Sequence, residues 1–207
     1  KAAFPDMKVA ASPLSAEILK RENALKLISA LNNSARATLA SFPDVDPSML
    51  LEDSFRPFEV DITLEDGQII DLGGGSTVKV LATPGHTRDH LSYYLPREKI
   101  LIASESSGCL DAIGNIITEF ASDYDAYVSS LQRIASLPVE ILCQGHRIVF
   151  VGREEVSGFF ERSITDAVVL RDRVYELLEE EDGSIERVVQ KIKAERYDTI
   201  KGIKQPL

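Results

Sequence analysis

Three side chains that can bind metal ions each follow a predicted buried strand. His86 follows a strand that ends near Leu81, Glu105 comes directly after another strand, and His146 follows a strand that ends near Cys143. In layered α/β proteins the loops at the carboxyl ends of strands converge on a rigid support, and sites form there. Imidazole and carboxylate ligands together suit zinc, iron or manganese. The repeated placement predicts a shared metal site.

Each of these residues also has a plainer interpretation. A lone histidine in a turn, such as His86, more often caps backbone groups or satisfies a core contact than binds a metal. Glu105 fits an exposed loop carboxylate, and His146 fits a ring bonded to a neighbouring carbonyl. His90 fits a supporting or strand-packing role better than a ligand role. Cys109 either lines the site or is a small packed thiol, which is the default for a free cysteine.

The composition limits the class of protein. The 207 residues include 44% hydrophobic and 27% charged residues, enough for a buried core. Lys and Arg number 23 and Asp and Glu 33, a net charge of −10, which argues against a nucleic-acid partner. Neither a membrane span nor a signal peptide is evident. Cys109 and Cys143 make no disulfide framework, so we expect a cytoplasmic protein. Because no apolar run is long enough to span a membrane, we expect no membrane partner.

Hydrophobic periodicity predicts the elements that position these residues. A strand near residues 7–11 precedes a helix that begins at Ser12-Pro13 and carries one apolar stripe to Leu31. Alternation from Phe58 predicts strands joined by a hairpin turn at Asp66-Gly67 and by a wide turn at residues 73–75. Further strands are predicted at residues 91–95, 99–103, 139–143 and 148–151, with a helix from the Asp123 cap to about Leu137.

The remaining chain has helical periodicity. Apolar residues from Val156 to Leu177 predict one long helix, and Ser184 is placed to cap a last one. The predicted fold class is therefore α/β, with a β-rich domain over residues 1–152 and a helical extension over residues 153–207.

Two segments resemble a known family. Residues 64–74, followed by residues 78–90 with their PGHT element, are similar to the stretch that carries the third metal-binding motif of the metallo-β-lactamase superfamily. The resemblance covers roughly residues 1–152. The helical extension and the sequence of residues 87–90 also look like the thioesterase-like branch that contains the quinolone signal response proteins. The implied fold is a four-layer αβ/βα sandwich, here without its first strands.

The resemblance assigns roles to the candidate residues. His86 is implied to be a metal ligand, His90 a supporting residue, and His146 the last ligand histidine. Glu105 stands where the family has a bridging Asp. Its extra methylene adds about 1.5 Å of reach. Glu105 therefore either bridges two metals, binds one metal, or supports a metal ligand without binding a metal itself. Arg147 replaces the usual Gly, and is either a contact to an anionic substrate group or a surface residue.

One family motif is absent from the sequence. The HxHxDH motif, which supplies most ligands of the paired metals, is not found, and residues 1–12 resemble the segment that follows it. The expectation is that upstream residues exist and that residues 1–207 alone do not fold stably, because unpaired strand edges and an open core face would remain.

The implied function is a metal-dependent hydrolase that cleaves a small-molecule thioester or ester with metal-activated hydroxide. Two divalent ions are implied, zinc first and iron or manganese as alternatives, with His86 on one ion, His146 on the other and Glu105 between them. The apolar residues Phe159, Phe160 and Ile164 either wall an acyl pocket or pack on the sandwich. Whether the protein forms a homodimer is left open.

Two other functions compete with this one. Without HxHxDH, and with Glu105 in place of Asp, the same fold would serve as a non-catalytic ligand-sensing or interaction module. A phosphodiesterase or nuclease of the same superfamily is disfavoured by the net charge of −10.

Overall fold

The chain contains both helices and strands, as the α/β prediction requires. The computed structural model describes residues 6–50, 57–111, 113–146 and 148–198. The strands of these residues are β1 (Ala10–Ala11), β2 (Ile62–Thr63), β3 (Ile69–Gly73), β4 (Ser76–Ala82), β5 (Leu91–Leu95), β6 (Ile100–Ser104), β7 (Cys109–Leu110), β8 (Ile116–Ile117), β9 (Ile141–Gln144) and β10 (Val149–Val151). The α-helices are α1 (Pro13–Ile18), α2 (Glu22–Ala40), α3 (Tyr124–Ala135), α4 (Arg153–Glu180) and α5 (Ile185–Lys193).

Short helical turns complete the set of elements. Residues 47–49 and 105–107 form 3₁₀ turns, and residues 194–198 continue α5 as a π-helical segment. None of the helices in the described ranges combines the length and the apolar character needed to cross a bilayer. The chain forms two units, residues 1–65 and residues 66–207.

Two details of the sequence-based prediction for the segment before β3 differ from the structure. The predicted stripe from Ser12-Pro13 to Leu31 lies on two helices, because α1 ends at Ile18 and the chain is extended at Arg21 before α2 begins. Ser12 does cap α1, since its Oγ accepts the Ser15 N–H at 3.1 Å. The predicted hairpin across Asp66-Gly67 is wrong, because β2 pairs in parallel with β1.

The second unit contains a six-stranded sheet in the order β10-β9-β6-β5-β4-β3. Neighbouring strands are antiparallel except β6 and β9, which are parallel. The strand predictions over this sheet are confirmed, but the turn predicted as wide at residues 73–75 is tight, because Gly73 pairs with Ser76. Because β4 and β6 are both antiparallel to β5, they run in the same direction as each other and as β9. The carboxyl ends of these three strands therefore meet at one edge.

Helices α3 and α4 pack on the sheet and form one hydrophobic core. Leu81, Leu101 and Leu142 contribute to it from the sheet, together with Tyr127, Leu131 and Ile134 from α3 and Phe159 and Phe160 from α4. Asp123 caps α3 as predicted, accepting the Ala126 N–H at 2.9 Å. Ser184 stands at the start of α5 but makes no side-chain capping bond. The core fixes the three strand ends as a rigid support.

Two neighbouring residues of β6 test which face of the sheet carries this core. Leu101 is 0% exposed and Ile102 is 44% exposed. We expect Leu101→Ala to lower the free energy of unfolding by about 2–5 kcal/mol, because it leaves a cavity, and Ile102→Ala to lower it by about 1 kcal/mol. Urea denaturation monitored by circular dichroism measures both variants. Equal losses would contradict the assignment of the core face.

Candidate metal centre

The three strand ends bring His86, Glu105 and His146 together. His86 Nε2 lies 3.4 Å from Glu105 Oε2, and His146 Nε2 lies 3.0 Å from Glu105 Oε1. Each imidazole therefore faces a different oxygen of one carboxylate. All three side chains are partly accessible to solvent. The convergence predicted from the strand ends is present in the structure.

The other ring nitrogen of His86 is held by the backbone. His86 Nδ1 lies 2.5 Å from the carbonyl oxygen of Glu119. A carbonyl oxygen only accepts hydrogen bonds, so Nδ1 carries the proton and, in the neutral ring, Nε2 presents a lone pair towards Glu105. Histidines that bind metals are typically fixed in this way, with the second nitrogen donating to a carbonyl or carboxylate.

The arrangement of lone pairs is a test of fit for a cation. In the neutral His86 ring, Nε2 is an acceptor, and the ionised Glu105 carboxylate is also an acceptor. Two acceptors in contact repel each other unless a positive charge, either a proton on Nε2 or a metal ion, lies between them. The donor chemistry of the three side chains therefore fits a bound divalent cation.

These three side chains form a row with the carboxylate in the middle. Across the described ranges, no three or more His, Cys, Asp or Glu side chains are grouped so that together they could hold one metal ion. The row offers one histidine and one carboxylate oxygen to each of two positions. Catalytic zinc sites have three protein ligands. The row thus supplies part of each coordination shell.

The backbone beside Glu105 is unusual. Ser104 adopts φ 48° and ψ −134°, a conformation that non-glycine residues rarely occupy and that costs about 1–3 kcal/mol. Gly145 lies against the same turn, where an added Cβ would come within 3.2 Å of Glu105 Cγ and 3.3 Å of Ser104 Oγ. The absent side chain at Gly145 leaves the space in which the Glu105 side chain lies next to His146.

Gly85 fixes the loop of His86 against α3. Its φ is +133°, and a Cβ there would lie 2.3 Å from Tyr127 Cα, so only glycine fits. Its carbonyl oxygen accepts the backbone N–H groups of Ala121, Ser122 and Asp123 at 3.0–3.3 Å, as well as the Ser122 hydroxyl. The loop is thereby attached to the start of the helix.

His90 lies beside the row. Its Nδ1 is 2.9 Å from Thr83 Oγ1, and its ring centre is 6.1 Å from that of His86 at an interplanar angle of 82°. Burial, together with the neighbouring His86, lowers the pKa of His90. This shift favours the neutral ring, and the supporting role of His90 stays a prediction.

Of three further residues, Cys109 and Glu119 can be compared with the structure and Arg147 cannot. Cys109 is fully buried and its Sγ donates to Glu119 Oε1 at 3.0 Å, as expected of a packed thiol. Arg147 lies outside the described residues, so both interpretations of it stay predictions. Glu119 was missed by the sequence analysis, because it acts on His86 through its backbone carbonyl and no residue type marks such a contact.

The apolar residues of α4 pack into the core. Phe159 and Phe160 are buried there, and Phe159 stacks on Phe150 with ring centres 4.4 Å apart. Ile164 is partly buried against the same core. Packing on the sheet, one of the two interpretations of these residues, therefore accounts for them. The predicted boundary between a β-rich domain over residues 1–152 and a helical extension over residues 153–207 stays a prediction.

Solved structures with the same architecture support this description. An archaeal metallo-beta-lactamase superfamily protein from Sulfolobus tokodaii matches with a TM-score of 0.54 and 26% identity, over 77% of this chain and 57% of that one. A metallo-beta-lactamase family protein from Thermus thermophilus matches with a TM-score of 0.55 and 20% identity, over 83% of this chain and 56% of that one. The second likeness shows the fold alone.

Curated relatives match over shorter stretches. A hydroxyacylglutathione hydrolase from Mesorhizobium japonicum is 34% identical over 79 residues, which are 38% of this chain and 29% of the relative. An atrochrysone carboxyl ACP thioesterase from Aspergillus fumigatus is 28% identical over 101 residues, which are 49% of this chain and 30% of the relative. The chain thus spans less than a third of these relatives.

A sequence profile of the whole family covers more of the chain. The profile described as "Metallo-beta-lactamase superfamily" matches residues 21–146, which is more than half of the 207 residues. The matched segment includes all three side chains of the row, His86, Glu105 and His146. The family resemblance inferred from the PGHT segment is confirmed. With this fold and this match, the chain belongs to the metallo-beta-lactamase superfamily.

Proposed function

We propose that the protein is a metal-dependent hydrolase that cleaves a thioester or ester. The observation that carries this proposal is the position of the Glu105 carboxylate between the Nε2 atoms of His86 and His146, at 3.4 and 3.0 Å. Nothing in a purely structural role requires two imidazoles to face the same carboxylate at a solvent-accessible edge. Imidazoles and carboxylates arranged in this way are the ligands that zinc and iron use in proteins.

Each member of the row has a separate task. His86 would hold one ion, His146 the other, and Glu105 would contribute one oxygen to each. When bound, divalent ions polarise a carbonyl oxygen and lower the pKa of water, which supplies a nucleophile at neutral pH. The Glu119 carbonyl keeps Nδ1 of His86 protonated, so that Nε2 stays available. Zinc suits these ligands best, with iron or manganese as alternatives.

The choice of a thioester rests on the relatives. The hydroxyacylglutathione hydrolase and the ACP thioesterase are both named for substrates in which an acyl group is joined to a thiol. The net charge of −10 opposes the approach of a polyanion, which disfavours a nuclease. We therefore propose a small acyl thioester as the substrate.

A ligand-sensing module on the same fold is the second candidate. Glu105 in the place of the family's Asp, and the incomplete set of ligands among the described residues, favour it. Such a module would bind a ligand without turning it over, so measured turnover separates the two candidates.

Removal of either histidine should remove metal. We expect His86→Ala and His146→Ala each to lower the bound metal of the purified full-length protein at least about tenfold, because each ring contributes one of few ligands. Elemental analysis by mass spectrometry measures this. Glu140→Gln is the matched control, since Glu140 is an exposed carboxylate that pairs with Lys99 away from the row. Unchanged metal in both histidine variants would refute the assignment.

Two substitutions of Glu105 test whether its charge or its length matters. We expect Glu105→Gln, which keeps the size and removes the charge, to reduce thioester hydrolysis about a hundredfold or more. Glu105→Asp restores the family's residue and should stay within about tenfold of the wild type. Turnover is measured on an acylglutathione, an oxyester and a phosphodiester, with and without a chelator. Full activity of Glu105→Gln, or activity insensitive to the chelator, would contradict the proposal.

A further inference from the structure

Three buried hydroxyl groups connect the loop of His86 with the turn of Glu105. Thr83 Oγ1 lies 2.8 Å from Ser92 Oγ, which lies 2.9 Å from Ser106 Oγ. All three residues are 0% exposed. Thr83 begins the loop that carries His86, Ser92 belongs to β5, and Ser106 directly follows Glu105. This group, which we call the hydroxyl chain, crosses three neighbouring strands behind the candidate metal centre.

The direction of every hydrogen bond in the hydroxyl chain is fixed at one end. Ser106 Oγ donates to the carbonyl oxygen of Ala103 at 2.7 Å, and a hydroxyl group has a single proton. Ser106 must therefore accept from Ser92, and Ser92 must in turn accept from Thr83. Thr83 has then used its own proton, so it can only accept from His90 Nδ1 at 2.9 Å.

We propose that the hydroxyl chain is a positioning device for the metal centre, which holds His90 as the tautomer protonated on Nδ1 and fixes the His86 loop to the Glu105 turn. The part that concerns the metal centre rests on the proposed function. The part that concerns the tautomer does not. Nitrogen NMR therefore tests the tautomer, and zinc titration tests the positioning of the metal centre.

The proposed tautomer has a consequence for the ring next to His86. With the proton on Nδ1, the Nε2 atom of the neutral His90 ring is left as a hydrogen-bond acceptor. A neutral ring adds no second positive charge beside His86, whose ring centre is 6.1 Å away. The backbone strengthens the same link, because the Thr83 N–H donates to the His90 carbonyl oxygen at 2.9 Å. His90 is thus held at both its ring and its backbone.

Nitrogen NMR tests the tautomer directly. Long-range ¹H–¹⁵N correlation spectra of the full-length protein, recorded with and without added zinc, distinguish a protonated from a bare ring nitrogen in each histidine. We expect His90 to show a protonated Nδ1 and a bare Nε2 in both samples. A protonated Nε2 on His90 would overturn the proposal even if the protein binds zinc, and the expected result would hold even if it binds none.

Ser106→Ala removes the end that sets the direction. Without Ser106 Oγ, Ser92 can donate to Thr83 and Thr83 to His90 Nδ1, so both tautomers become accessible. We expect the two ¹⁵N shifts of His90 to move towards their average, although Ser92 and Thr83 lie between Ser106 and the ring. Ser107→Ala is the matched control, because Ser107 is equally buried in the same turn but bonds only to the carbonyl oxygens of Ser104 and Gly108.

Zinc titration tests the positioning role. We expect the zinc affinity of Ser106→Ala to fall about tenfold, as for other groups that orient metal ligands, and that of Ser107→Ala to change about twofold or less. Thr83→Val, which is close in shape, provides a second variant if Ser106→Ala unfolds, and should lower zinc affinity to a similar degree. An unchanged His90 spectrum in Ser106→Ala would overturn the tautomer part of the proposal, and equal, measurable zinc affinities in the Ser106 and Ser107 variants would overturn the positioning part.

Discussion

The candidate site in the second unit depends on one electrostatic constraint, that a carboxylate lies between two imidazole nitrogens. The Glu119 carbonyl fixes a proton of His86 on Nδ1, so in the neutral ring Nε2 and the Glu105 carboxylate are both acceptors, which a proton or a metal ion between them would join. The parallel directions of β4, β6 and β9 place these groups at one edge of the sheet. The cation requirement and the strand directions together explain why this edge carries the site.

Holding this geometry costs stability, which the core offsets. Ser104 has a backbone conformation that costs about 1–3 kcal/mol, and Gly85 allows a contact with Tyr127 that no side chain would permit. Such conformations persist only where the surrounding structure determines them. Leu101 and Leu142 on the sheet, packed against α3, provide that support immediately before the strands end. The rigid core and the strained loops are two parts of the same arrangement.

Sequence reasoning found the parts of the site that residue types mark. The order of strand, glycine and histidine located His86 and His146, and the Asp123 cap located α3. It missed the break between Ile18 and Glu22, because the apolar spacing continues across both helices. It also paired β2 wrongly, since a turn such as Asp66-Gly67 gives no information about a partner fifty residues earlier. Contacts made by backbone carbonyls, such as that of Glu119, leave no trace in the sequence.

The central claim is that divalent cations lie between each of the two imidazoles and the Glu105 carboxylate. The most direct measurement is anomalous X-ray diffraction at the zinc edge, on crystals of the full-length protein grown with zinc. The account predicts two anomalous peaks, one within coordination distance of His86 Nε2 and one within coordination distance of His146 Nε2, both next to the Glu105 carboxylate. Density located elsewhere, or direct hydrogen bonds from both rings to Glu105 in the presence of saturating zinc, would contradict it.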